Sequence, residues 1–344
     1  MSGTSLDGLD MAYCIFQFKQ GSWTFDIVLA KTVAYPPDLF KKLVKCTTLT
    51  GLDLSLLDVE LGRWMGIETA AFIDDNHLKI DLISSHGHTV FHQPEHGLTL
   101  QVGSGLEIQR ACGITVINDF RSKDVSLGGQ GAPLVPIGDE LLFGDNAACL
   151  NLGGIANVSF LHHGERIAYD IAPVNMVFNY LSLLKGEPFD DRGKIASAGK
   201  IDDSLLARFN ELAYYKSPYP KSLGYEWVYS NIISVLEHST ISIEDQMATT
   251  VAHATTQIAE VLPQGKNLIT GGGAFNNYFI DQLNSKLSAK HEIVIPDKTI
   301  IEYKEAMIFA LLGVLRYRNE INCLSTVTGA QSDSSGGTIF TNIS

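Results

Sequence analysis

The chain has 344 residues, 45% of them hydrophobic and 18% charged, with a formal net charge of −13. At about 100–200 residues per domain this is most simply two domains, long enough to build cores without disulfides or a structural metal. The acidic balance, with neither a basic run nor a basic helix, excludes nucleic acid and anionic membrane surfaces as main partners and leaves a small molecule.

Cys14, Cys46, Cys112, Cys149 and Cys323 are odd in number and widely spaced, which predicts reduced thiols in a cytoplasmic protein rather than a disulfide framework or a CxxC pair. No apolar run approaches the roughly 18 residues of a membrane span, and no secretory signal is visible at the start.

In chain order, residues 1–10 (MSGTSLDGLD) form a glycine-containing loop, followed by strands at 11–18 and 24–33 joined as a hairpin. Residues 37–45 and 55–75 carry apolar side chains at helical spacing. A strand at 80–84 ends in SHGHT (85–89), and 98–102, 105–112 and 115–117 read as strand, helix and strand, the last delivering Asn118, Asp119 and Arg121. The glycine and proline density of 126–136 predicts a hinge. The expected division is therefore a first lobe of 1–130 plus 320–344 and a second of 131–319.

The second half opens with a pair of strands over 147–160 around Gly153 and Gly154, and a strand at 167–170 brings Asp170 to its end. Helices follow at 174–185, 201–214, 227–236 and 242–262. A strand at 267–269 leads into Gly271, Gly272 and Gly273, and then come a helix at 277–290, a strand at 292–295 and a helix at 303–318. This alternation predicts α/β layers.

Three glycine loops, the two later ones leaving strands, suggest one nucleotide. Gly3 and Gly8 let backbone amides approach an anion beside the Thr4 and Ser5 hydroxyls, Gly153 and Gly154 can reach the other side of a triphosphate, and Gly271–Gly273 can lie under a base or ribose. Each loop is also plain turn chemistry. Neither GxxxxGK[ST] nor GxGxxG occurs, so no P-loop or dinucleotide fold is indicated.

Six blocks in order, residues 1–10, 85–89, 118–124 (NDFRSKD), 128–136 (GGQGAPLVP), 151–157 (NLGGIAN) and 271–276 (GGGAFN), resemble the anhydro-N-acetylmuramic acid kinase family over residues 1 to about 329. The resemblance implies the two-domain actin/hexokinase-like ATPase fold with a central cleft where ATP and sugar meet. It further implies an enzyme of cell-wall sugar recycling that opens a 1,6-anhydro ring with water while phosphorylating the freed 6-oxygen. A homodimer is one assembly it allows.

By resemblance Asp170 is the base, and Gly3, Thr4, Ser5, Leu6, Asp7, Gly8, Leu9, Asp10, Gly153, Gly154, Asn157, Gly271, Gly272 and Gly273 hold ATP. His86, His88, Asp119, Arg121, Asn175 and Glu305 face the amino sugar. Magnesium is expected to be held mostly by ATP phosphates and water, with Asp7 and Asp10 either orienting it or capping the turn.

Other readings stay open. Asp170 could cap the helix at Val174, Arg121 could pair with Asp124 on the surface, Glu305 could complement a helix dipole, and His86, His88 and His92 could suggest zinc, although their spacing fits a loop better. The family pattern has Gly-Pro-Gly-Asn where this chain has Ala172-Pro173-Val174-Asn175, which brings two side chains toward the sugar or phosphate. That change raises a non-catalytic sensor as the alternative, alongside a kinase of another sugar. Finally, a loop like 1–10 should leave a central strand, and the family has apolar residues before the equivalent of Met1. Either the sequence starts downstream, or the fold stands without that strand.

Overall fold

The computed structural model describes residues 1–3 and 6–341. Two units divide the chain, one of Met1–Leu142 with Tyr303–Ser344 and one of Phe143–Glu302.

In the first unit, β1 (Leu9–Lys19) and β2 (Ser22–Val33) form an antiparallel hairpin. Gln20 and Gly21 turn it with positive φ. β3 (Ile83–Ser84), β4 (His88–Gln93), β5 (Leu98–Val102) and β6 (Val116–Asn118) follow, with β4 and β5 paired antiparallel and β3 parallel to β6. The helix Gly51–Asp75 starts on the Thr50 side chain, which accepts from the Asp53 amide, and it buries Leu57, Leu61 and Met65 in the core of this unit. A Cβ at its Gly62 would stand 2.6 Å from the Ser104 nitrogen, so the missing side chain is what lets the helix Gly105–Cys112 pack closely.

The second unit contains β7 (Ala148–Leu152), β8 (Ile155–His162), β9 (Glu165–Pro173), β10 (Gly265–Thr270) and β11 (His291–Val294) in the order β11-β10-β7-β8-β9. β7, β8 and β9 run as an antiparallel meander, while β10 lies parallel to β7 and β11 parallel to β10. The central β7 buries Ala148, Cys149, Leu150 and Leu152, the near-continuous apolar run expected of a strand covered on both faces. The helix Ile243–Val261, capped by Ser242, packs its buried face into the same core. The chain then returns to the first unit through the helix Lys298–Tyr317, and β12 (Thr338–Phe340) pairs antiparallel with β6.

The α/β character is as the alternation predicts. The division is not at 130 and 320: it falls at 142/143 and 302/303. Residues 126–136 lie inside the first unit, where the buried Asp124 carboxylate accepts from the Gly131 amide at 2.7 Å and from the Thr328 hydroxyl at 2.7 Å. The buried ion pair of Lys304 with Asp139, 2.7 Å, likewise holds 139 and 304 in one unit. Of the strand expected at 80–84 only Ile83–Ser84 forms, and the helix expected at 201–214 is two short ones, Asp203–Asn210 and Ala213–Lys216.

Candidate active site

In the first unit the opening loop is tied down at its start. Met1 N donates to Asp10 O at 2.7 Å, and Asp10 N donates back to Met1 O at 2.9 Å. The Ser2 hydroxyl meets Tyr35 Oη at 2.6 Å and His88 Nδ1 at 3.1 Å, and Tyr35 Oη donates to Gly8 O at 2.9 Å. Leu6 has φ 59°, and Gly8 has φ 151° with Val33 O only 2.6 Å from where a Cβ would be, so the loop closes against β2 at a glycine. Asp10 accepts from Thr32 Oγ1 at 2.6 Å, and Leu9 is buried. Gly3 accepts from the Leu6 amide at 3.2 Å, while Asp7 is exposed. The expected roles of Thr4 and Ser5 lie outside the described residues.

Around this loop stand His86, Arg121 and Glu305. Arg121 Nε donates to His86 Nε2 at 2.9 Å, and Arg121 Nη1 donates to Gly131 O at 2.7 Å. Because guanidinium can only donate, His86 Nε2 must be unprotonated, which places the ring proton on Nδ1, 3.0 Å from Gly87 O. Burial, and then the Arg121 charge, push the His86 pKa well below the ordinary imidazole value and keep it neutral. Phe309 supports both groups, its ring 4.6 Å from His86 and 5.8 Å from the Arg121 guanidinium carbon. Desolvation raises the Glu305 pKa, opposed by the charges of Arg121 and the Met1 ammonium.

The surroundings of these side chains are specific. Arg121 is not a surface partner of Asp124, whose carboxylate is spent on buried donors. Glu305 lies about two turns into the helix Lys298–Tyr317, too deep for an N-terminal dipole effect. His88 is no loop residue: it opens β4 and is buried against Ser2. His92 contacts Thr99 Oγ1 at 3.1 Å instead of turning toward His86. Asp119 adopts φ 57° and accepts from the Ser122 hydroxyl at 2.5 Å. Among the described residues no group of three His, Cys, Asp or Glu could hold a metal ion.

In the second unit Asp170 sits inside β9 rather than at a strand end, opposite Asn157 of β8, where the register shifts by a bulge. Bulges re-aim side chains next to sites. The Asp170 carboxylate accepts from the Leu223 amide at 2.9 Å, and its backbone carbonyl accepts from Tyr214 Oη at 2.7 Å. Desolvation raises the Asp170 pKa above the ordinary carboxylate value, with the Leu223 N–H pulling the other way. Lys221 is not the counter-charge: its Nζ donates to Tyr214 O at 3.2 Å and lies 4.7 Å from the Tyr214 ring centre. Tyr214 and the Leu223 amide were not found by sequence reasoning, since one acts through a distant hydroxyl and the other through a main-chain N–H.

The glycines of this unit divide by purpose. At Gly271, φ 82°, a Cβ would stand 2.5 Å from Asn151 Oδ1, and at Gly273 it would stand 2.7 Å from Leu152 Cβ. Both are required for the loop after β10 to pack on the turn after β7. At Gly153, Gly154 and Gly272 a Cβ would meet nothing closer than 3.2 Å, so their backbones are open to approach. Asn175 begins the helix Asn175–Leu184, and its side-chain amide donates to Leu152 O at 3.0 Å. Ala172 and Val174 do not point toward a ligand: both are fully buried in the core of this unit.

The family profile described as "Anhydro-N-acetylmuramic acid kinase" matches residues 1–342. A protein of that name from Gloeobacter violaceus is 35% identical over 362 residues, covering 96% of this chain and 94% of the relative. Another from Synechococcus elongatus is 32% identical over 371 residues, covering 99% and 98%. Among solved structures, the activator of the 2-hydroxyisocaproyl-CoA dehydratase from Clostridium difficile matches at 14% identity and a TM-score of 0.34, over 61% of this chain and 87% of that one, too distant to bear on the fold.

Proposed function

The chain belongs to the anhydro-N-acetylmuramic acid kinase family, and from that premise we propose that it opens the 1,6-anhydro ring of anhydro-N-acetylmuramic acid with water and phosphorylates the freed 6-oxygen from ATP. Asp170 is the observation that carries this reading. Its carboxylate is desolvated, which strengthens it as a proton acceptor, and a backbone N–H rather than a cation fixes its direction.

In this reading Asp170 takes a proton from the water that bonds to the anomeric carbon. The bond from that carbon to the 6-oxygen breaks, and the 6-oxygen receives the γ-phosphoryl group instead of a proton, so no second carboxylate is needed as acid. ATP with magnesium supplies the phosphoryl group and charge neutralisation. The open backbones at Gly153, Gly154 and Gly272 fit close approach of phosphates or ribose. Asp7 and Asp10 would serve magnesium through water. Arg121, oriented by His86 and Gly131, would pair with the lactyl carboxylate, and Glu305 with a sugar hydroxyl. The five free cysteines accord with a reducing compartment such as the cytoplasm, and among the described residues no helix is long and apolar enough to cross a membrane.

The sensor reading rested on the 172–174 segment, and the burial of Ala172 and Val174 removes its reason. Asp170→Asn is expected to bind ATP with parent affinity and to release no ADP when the anhydro sugar is added. Turnover near the parent rate would remove Asp170 as the base. Reaction in heavy-oxygen water should place the label at the anomeric carbon, and an unlabelled product would mean plain phosphorylation of another sugar.

A further inference from the structure

Main chain and side chain of Asp170 are held by one loop of the same unit. β9 is an edge strand of the five-stranded sheet, and residues 214–223 cover its open side at Asp170. The Asp170 amide donates to Lys221 O at 3.3 Å, its carbonyl accepts from Tyr214 Oη at 2.7 Å, and its Oδ2 accepts from the Leu223 amide at 2.9 Å. The direction of the carboxylate therefore follows the shape of this loop.

One end of the loop is anchored in the core. His253, fully buried on the helix Ile243–Val261, meets Asn210 Oδ1 through Nδ1 at 2.6 Å and Tyr215 Oη through Nε2 at 2.8 Å. Desolvation pushes its pKa down to about 3, so the ring is neutral. An amide oxygen only accepts, so Nδ1 carries the proton and Tyr215 donates to Nε2. That bond fixes the short helix Ala213–Lys216 and with it Tyr214, whose ring centre lies 5.3 Å from that of Trp227. Residues 216–220 then cross in solvent. Lys221 ties the far end back: its Nζ donates to Tyr214 O at 3.2 Å and lies 4.7 Å from the Tyr214 ring centre and 5.7 Å from that of Tyr169. No carboxylate charge acts on this amine, whose pKa burial lowers. A cation that exchanges water for a carbonyl and two ring faces is a cross-link rather than a solvated surface charge.

We propose that Lys221 is a positioning residue: by tying its end of the 214–223 loop to the carbonyl of Tyr214, it keeps the Leu223 N–H on the Asp170 carboxylate and fixes the direction in which that carboxylate accepts a proton. The kinetic consequence rests on the proposed reaction, in which Asp170 is the base; the structural one does not. A hydrogen bond to the charged form favours that form, so releasing the Leu223 N–H raises the Asp170 pKa. The other groups around the carboxylate do not compete. Asn157, opposite on β8, is neutral, and Tyr169 and Tyr214 have pKa values raised first by burial and stay protonated. No neighbouring charge, Lys221 included, enters the Asp170 pKa, which burial raises and the Leu223 N–H lowers.

Lys221→Met keeps the aliphatic packing and removes the donor. In full-length protein labelled with carbon-13 at the aspartate carboxyls, with Asp170→Asn to assign the signal, Asp170 is expected to titrate at higher pH in this variant than in the parent. The Leu223 amide should exchange about tenfold faster or more. Neither readout needs turnover. With the anhydro sugar, kcat should fall about tenfold or more while the dissociation constants of ATP and sugar stay within about twofold of the parent values. The acid limb of kcat/KM should move up together with the carboxyl titration. Lys221→Arg, which retains a cationic donor, should restore the titration and most of kcat. An Asp170 titration unchanged in Lys221→Met would overturn the proposal. So would a loss of ATP affinity with that titration intact, which would make Lys221 a phosphate contact. Absence of turnover in the parent would overturn the proposed reaction, while the shifted titration would still uphold the hold of Lys221 on Asp170.

Discussion

At the scale of single residues, Asp170, as the proposed base, would join stability and activity through one pKa. Its folded-state value lies above the ordinary carboxylate value, so the folded protein binds its proton more tightly than the unfolded chain does. Stability from this group is therefore greatest at low pH and falls as pH rises from the unfolded to the folded value. Asp170→Asn is expected to raise Tm at neutral pH and to lose that advantage below about pH 4, the unfolded carboxylate range. The acid limb of the parent kcat/KM profile should lie above the ordinary carboxylate value. A variant that melts lower than the parent at pH 7 would contradict the burial argument. Asp170 and Arg121 could be singled out in the sequence as candidates because motifs carry their side chains. Leu223 was not, since its contribution is a main-chain N–H whose position depends on the path of a loop.

At the scale of elements, the two glycine positions that look alike in GGGAF separate cleanly. Gly271→Ala forces a side chain into a left-handed backbone and against Asn151, and it should cost about 2–4 kcal/mol in denaturant unfolding. Gly272→Ala should change stability by no more than about 0.5–1 kcal/mol while weakening ATP affinity. Equal destabilisation by both would mean that the loop serves packing alone. Strand and helix positions were largely readable from periodicity and caps, such as Thr50 and Ser242. What periodicity could not give was the burial of the 172–174 segment or the bulge opposite Asp170. Both are decided by the neighbouring strand rather than by local sequence.

At the scale of the whole molecule, the second unit has a complete five-stranded sheet and its own core within one continuous stretch, while the first is built from two stretches. A fragment of residues 143–302 is expected to give a cooperative unfolding transition by circular dichroism, and a gradual melt would show that its core is not self-sufficient. Residues 126–136, expected to be a hinge from their glycine and proline content, lie within the first unit, where Asp124 links Gly131 to Thr328.

The pairing of β12 with β6 sets the order in which the chain can be finished during synthesis. Residues 338–340 must meet residues 116–118 across a connection that contains the whole second unit. Chain translation delivers β7 through β11 well before it delivers β12, so the second unit can close while the first still waits with one edge of β6 uncovered. Closing so long a connection adds little to the equilibrium cost but slows the step that completes it. The last slow phase of refolding should therefore report on β6 and β12, and the interval before it is when a strand-binding chaperone would find this chain.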